Sequence, residues 1–189
     1  MNTWQRFKNS YLFYNFKQDP IAIGSFGVLT VLVVISILAP VVAPYNTYDT
    51  ATIDILDAET PPAWKENGSE KFMLGTDIQR RDLLSTMIFG LRVSLLIGVA
   101  AVLFQALLGI IVGLLAGYFG GKLDSFLMRI ADIQFSIPYL IVAIFTSAIF
   151  KLAFGVGRYE ELAVPLLIII IGMSEWPKYA RTVRASVLG

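Results

Sequence analysis

"VSLLIGVAAVLFQALLGIIVGLLAGYFGG", residues 93–121, contains no charged side chain. At a rise of ~1.5 Å per residue, a helix over this run is long enough to cross a hydrocarbon core of ~30 Å. Within it Ala101, Gln105, Gly109, Gly113 and Gly117 follow one another at intervals of four. One side of the helix is therefore nearly smooth and lets another backbone come close. Gln105 in that row can hydrogen-bond a neighbouring helix as glue or line a polar path, and isolated amides in membrane helices commonly serve as glue. Gly117, Gly120 and Gly121 are where the run turns.

The rest of the composition agrees with a lipid solvent. Of 189 residues, 56% are hydrophobic and only 15% charged, far outside the soluble average. A formal charge of +1 argues against nucleic acid as a partner, because phosphate binding needs a basic excess. The absence of Cys rules out a disulfide framework, and the absence of His removes the commonest general base and metal ligand. Ser94, Ser136 and Ser147 thus have no His partner for nucleophilic chemistry, and no metal site is expected. The expected class is an all-α, polytopic membrane protein that is not an enzyme.

Working outward, residues 21–43 form a first uncharged span and 93–117 the second, while 133–151 and 162–176 read as a third and a shorter fourth. Pro138 is tolerated near the third if neighbours satisfy the freed carbonyl. The fourth draws on Trp176, Tyr179 and the stem of Lys178 at the interface. A cleavable signal peptide fits the first span poorly, since the apolar run is too long and no A-x-A-like site ends it. Residues 1–20, the connection 118–132 and the end 177–189 carry Arg6, Lys8, Lys17, Lys122, Arg129, Lys178, Arg181 and Arg184. The short loop 152–161, by contrast, has only Arg158, with Lys151 just before it. That bias expects a cytoplasmic amino terminus and puts the long segment 44–92 outside.

Just ahead of the second span lies "LGTDIQRRDLLSTMIFGLR", residues 74–92. Thr76 or Asp77 is a good N-cap, and Leu83, Leu84, Met87, Ile88 and Leu91 recur at helical spacing, so an amphipathic helix is expected over about 76–91. Arg81, Ser85 and Arg92 share one stripe of that helix, with Asp82 beside it. The stripe reads either as a solvated face with weak ion pairs such as Asp77 with Arg81, or as a hydrophilic collar at the outer mouth of a pathway. Arg80 suits neither, because the wheel puts it on the apolar face.

Downstream, residues 117–138 read as a turn and a helix start in which Arg129 and Asp132 can pair. In "EWPKYARTVRASVLG", residues 175–189, Lys178, Arg181 and Arg184 share one face and Tyr179, Val183 and Val187 another. This is a basic interfacial helix or the start of a docking element for a soluble partner.

These segments, in this order, resemble the permease subunits of bacterial ABC importers for dipeptides, oligopeptides and nickel. The likeness runs through "ILAPVVAPYNTYD", "PPAW", "LGTDIQRRDLLSTMIFGLRVSLLIG", "GLLAGYFGGKLDSFLMRIADIQFSIP" and "WPKYARTVRASVL". The most specific part is the signature G-T-D-x-x-G-R-D-x-x-S-R, matched by Gly75, Thr76, Asp77, Arg81, Asp82, Ser85, Gly90, Arg92 and Ser94. Arg80 stands where the family has Gly, and Thr86 where it has Arg.

The resemblance implies a six-span helix bundle of which this chain holds the first four, with an E-A-A-x-x-x-G coupling loop expected beyond Gly189. It further implies a bacterial inner-membrane location and a second homologous permease, two cytoplasmic ATPases and a periplasmic solute-binding protein as partners. No cofactor is expected in the chain itself, since ATP and Mg would sit in the ATPases. Residues 75–92 would lie at the periplasmic mouth, Gln105, Gly109, Gly113 and Gly117 would pack helices, and Lys178, Arg181 and Arg184 would lie near the ATPase interface. A secondary transporter or channel is the alternative; it predicts ionisable residues at mid-membrane, and the spans have none.

Overall fold

The computed structural model describes residues 11–47 and 57–189. Arg6, Lys8 and the part of the outer segment at 48–56 lie outside the described residues. Among the described residues six helices follow in order: α1 Tyr11–Gln18, α2 Pro20–Ile37, α3 Ala39–Val42, α4 Leu83–Phe119, α5 Gly121–Ser136 and α6 Tyr139–Leu188. The chain divides into two compact units, Met1–Leu95 and Leu96–Gly189. Among the described residues there is no strand, only an isolated antiparallel bridge between Thr76 and Asp82.

Helix α2 starts where Asp-Pro dictates. The Asp19 carboxylate accepts the N–H groups of Ile21 and Ala22 at 2.9 and 3.2 Å, and Pro20 supplies the fixed φ of a first helical residue. Its apolar side chains point outward, with Ile21 78% and Val28 62% exposed. Such a helix has nothing to gain in water and is suited to lipid.

Three helices among the described residues are long and apolar enough to cross a bilayer: α2, α4 and α6. The expected fourth span and most of the third, from Tyr139 on, fall within α6, whose one non-helical residue is Gly155 at φ 81 and ψ 165. Only glycine adopts that conformation without strain, so the break is assigned to this residue. The loop expected over 152–161 is therefore a single-residue interruption, with helix-forming residues on both sides and Lys151 lying 4.4 Å from the Tyr159 ring centroid. Pro165 and the fully buried Pro177 sit inside the helix beyond it.

Two further boundaries differ from the sequence reading. The amphipathic helix expected from residue 76 begins at Leu83 instead, because residues 75–82 close on themselves as a hydrogen-bonded turn. After the Gly120–Gly121 turn, where φ is 59 and 55, α5 continues to Ser136 through the expected start of the third span, and Ile137–Pro138 separates it from α6.

Candidate functional site

Within the first unit, the signature residues build a polar knot at the base of α4. Asp82 is its hub. The Asp82 carboxylate accepts the Ser85 N–H at 2.8 Å and the Ser85 hydroxyl at 2.5 Å, which caps the first turn of α4. The Ser85 Oγ in turn accepts the Tyr45 N–H at 3.0 Å, tying the chain after α3 to the start of α4. Asp82 is 4% exposed and Ser85 is fully buried, so both polar groups need these partners.

Thr76 stitches the other side. Its N–H donates to the Thr60 carbonyl at 3.0 Å, its Oγ accepts the Thr60 N–H at 2.9 Å, and its hydroxyl donates to the Asp57 carbonyl. Gly75 is required twice over: φ is 83, and a Cβ there would collide with the Thr60 carbonyl. Lys71 pairs with Asp57 at 2.8 Å, and the Tyr45 and Phe72 rings pack at 5.5 Å.

Asp77 closes the turn. Its carboxylate accepts the N–H groups of Gln79 and Arg81 at 2.8 and 2.9 Å and the Arg81 Nε at 2.9 Å. Partial burial pushes the Asp77 carboxyl up, but the Arg81 N–H and guanidinium and the Gln79 N–H outweigh it and hold the group below the usual carboxylate range. Arg80, donating its N–H to the Asp77 carbonyl at 2.8 Å, sits at φ 65. The position thus asks for the glycine that the signature carries, and the Arg80 side chain leaves a buried Nε with no partner among the described residues.

Of the signature residues, the structure brings Gly75, Thr76, Asp77, Arg81, Asp82 and Ser85 together in the knot. Gly90, Arg92 and Ser94 lie exposed along α4, apart from it. The expected stripe of Arg81, Ser85 and Arg92 does not form, because Arg81 precedes the helix and Ser85 points inward.

In the second unit, Gly109, Gly113 and Gly117 form a seam between α4 and the last turns of α6. A Cβ at Gly109 would stand 2.5 Å from the Tyr179 Cβ, one at Gly113 2.5 Å from the Ala180 carbonyl oxygen, and one at Gly117 2.7 Å from the Val187 Cβ. Ala131, Trp176 and Ala180 form the buried cluster beside the seam, with Leu108, Val112 and Met128 against it. Gly172 continues it, seated against the Phe104 ring. The seam's partner is thus a helix of the same chain, where the resemblance had suggested the second permease. Gln105, 8% exposed, keeps its Oε1 without a hydrogen-bond partner among the described residues.

The basic residues near the end are all engaged. Arg184 forms a two-pronged contact with Asp124 at 2.5 Å on each prong, and its guanidinium, above all through these hydrogen bonds, holds the Asp124 carboxyl below its ordinary range. Arg181 donates to Asp132 at 2.6 Å and lies 4.8 Å over the Phe135 ring, while Lys178 pairs with Glu175. The Arg129–Asp132 pair suggested by the sequence is superseded: Asp132 pairs across to Arg181. Sequence reasoning also missed a cavity of about 270 Å3 between the end of α5 and both halves of α6, lined by Gln134, Tyr139, Thr146, Ile170, Met173 and Ser174. Its only signal was a scatter of uncharged polar residues in apolar runs. Among the described residues no His, Cys, Asp or Glu cluster could hold a metal.

An all-helical chain with lipid-facing spans, a glycine seam and a capped polar knot defines a polytopic membrane protein, and comparison with known proteins gives its family. Residues 109–189 match the inner membrane component of binding-protein-dependent transport systems, and residues 2–62 match the N-terminal transmembrane domain of oligopeptide transport permease C. The chain is 36% identical over 174 residues to the di/tripeptide transport system permease protein DppC of Pseudomonas aeruginosa, covering 92% of this chain and 53% of that one. It is 34% identical over 178 residues to the dipeptide transport system permease protein DppC of Haemophilus influenzae, covering 94% and 56%. With the oligopeptide transport system permease protein OppC of Bacillus subtilis it shares 32% over 175 residues, 92% and 50% of the two chains. The chain therefore belongs to the dipeptide/oligopeptide permease family of ABC transport systems. It spans about half the length of these relatives.

Proposed function

We propose that the chain is a transmembrane permease subunit of an ATP-driven importer that carries dipeptides, oligopeptides or a similar small solute across the bacterial inner membrane. The observation that carries this reading is the match to peptide transport permeases over more than nine-tenths of the chain, 92% in the first comparison above. In this reading the chain makes and breaks no covalent bond. It pairs with a second, homologous permease, and the two form a path that opens alternately to either side. A periplasmic binding protein delivers the solute, and two cytoplasmic ATPases, which hold the ATP and Mg, drive the alternation.

The charge pattern supports a cytoplasmic amino terminus, which puts the polar knot of residues 57–85 on the periplasmic side. There the knot is a rigid base for α4 rather than a solute-binding surface, since its carboxylates and hydroxyls are consumed by internal hydrogen bonds. The cavity bounded by Gln134, Thr146 and Ser174 suits a path wall better, having polar groups on an otherwise apolar lining. The test is isolation of the intact complex from membranes. Two ATPases, a second permease and a solute-binding protein are expected to co-purify. Recovery of the chain as a self-sufficient assembly that moves solute on an ion gradient would overturn the reading.

A further inference from the structure

Helix α5 presents two different faces. At about 100° per residue, Asp124, Met128, Ala131 and Phe135 share the side turned to α6, where Ala131 is fully buried and Asp124 holds Arg184. Nearly opposite run Leu123, Phe126, Ile130 and Ile133, exposed by 40, 62, 41 and 58%. Nothing in the described chain covers this second apolar stripe. Lys122 and Arg129 line one of its edges, both exposed and neither in an ion pair among the described residues. The acidic residues of the helix cancel no part of that charge, because Asp124 and Asp132 are paired with Arg184 and Arg181.

The ends of α5 fix where this stripe can be. Only Gly120 separates α5 from α4, and only Ile137 and Pro138 separate it from α6, and both neighbours are long and apolar enough to span. Tyr118 and Tyr139 flank the two junctions, 81 and 51% exposed, which is where amphipathic rings mark a membrane–water boundary. A helix tethered at both ends to the boundary, apolar on its outer face and basic along one edge, has the composition of an interfacial helix.

We propose that α5 is a lipid-docking helix: Leu123, Phe126, Ile130 and Ile133 enter the acyl region of the adjoining leaflet, and Lys122 and Arg129 bind the phosphates of anionic headgroups. The occupant is an anionic bilayer surface. Charge complementarity selects it over a neutral one, and continuity with the flanking spans selects lipid over a soluble partner. The inference rests on the membrane-spanning fold alone, so it stands or falls independently of the importer reading.

Because the chain has no Cys, Phe126→Cys and Ile133→Cys each give a single labelling site. The full chain, spin-labelled and reconstituted in phosphatidylcholine vesicles with and without phosphatidylglycerol, is read by collision with oxygen and with a water-soluble nickel chelate. Oxygen access exceeding nickel access at both sites is the expected result. Nickel access prevailing would place the stripe in water, and protection from both reagents would mean that protein covers it; either overturns the proposal. In parallel, the lipid retained by the purified chain from mixed vesicles is measured. Phosphatidylglycerol is expected to be enriched over phosphatidylcholine, and each charge removed by Lys122→Gln and Arg129→Gln lowers that preference about five-fold. The charge-keeping pair Lys122→Arg and Arg129→Lys retains it. An unchanged preference in the glutamine variant would refute the headgroup assignment.

Discussion

Replacing Gly113 with alanine adds one carbon to the seam, and the structure says where that carbon goes. It would stand 2.5 Å from the Ala180 carbonyl oxygen and 2.9 Å from the Val183 Cβ. Ordinary contact is about 3.5 Å, so α4 and α6 must part locally by up to about 1 Å, and a gap of that size forfeits a quarter to a half of the dispersion energy of the atoms lining it. Overpacking of this kind costs about 1–3 kcal/mol, against a gain of at most about 1 kcal/mol from the higher helix propensity of alanine. The same change at Gly98, on the same helix, meets nothing within 4 Å and keeps only the propensity gain. Gly98→Ala should therefore be neutral or slightly stabilising and Gly113→Ala destabilising, with the two about 2 kcal/mol apart. Unfolding in mixed detergent micelles reports the difference through Trp176, which is 6% exposed in the cluster beside the seam. Equal stabilities for the two alanine variants would refute the seam as a close-packed contact.

Other outcomes follow from the knot and the ion pairs. Arg80→Gly relieves a left-handed backbone and removes a buried Nε without a partner; it should raise stability by about 1 kcal/mol, and Arg80→Ala, which keeps the strain, should not match it in thermal unfolding. Asp82→Ala removes the cap of α4 and strands the buried Ser85 hydroxyl, costing about 1–2 kcal/mol, with faster amide hydrogen exchange at Tyr45 and Ser85 as the local signature. Because the Asp77 carboxyl is held below its unfolded value of about 3.9, its contribution is complete above that pH and fades as the pH falls through the folded value. Asp77→Asn should flatten the stability profile there. Exchanging the charges of the Asp124–Arg184 pair, as Asp124→Arg with Arg184→Asp, should recover part of the stability that either single change loses, measured by a double-mutant cycle.

What was legible in the sequence divides along physical lines. Charge-free runs and glycine periodicity are properties of one helix and its solvent, so the apolar runs that lie in α2 and α4 and the smooth face of α4 could be read directly. The partner of that face could not, because Trp176, Tyr179 and Ala180 meet it only after the chain has returned through Gly155. Residues 74–92 misled for a local reason. Helical spacing is real from Leu83 onward, but Asp77 hydrogen-bonds forward to Gln79 and Arg81 and so closes a turn where a cap was expected. The misfit of Arg80 on the helical wheel was a sound signal, and its cause is that the residue stands in a turn at positive φ. The ion pairs of Arg181 and Arg184 were not legible because their carboxylate partners lie 49 and 60 residues away in the chain.

Solute uptake separates an ATP-driven permease from an ion-coupled one. The permease, reconstituted in liposomes with the subunits that co-purify with it, is given a labelled dipeptide with a binding protein outside and ATP inside. The account predicts accumulation that requires ATP hydrolysis and stops when the ATPases are omitted. Accumulation driven by an ion gradient with no ATPase present would contradict it.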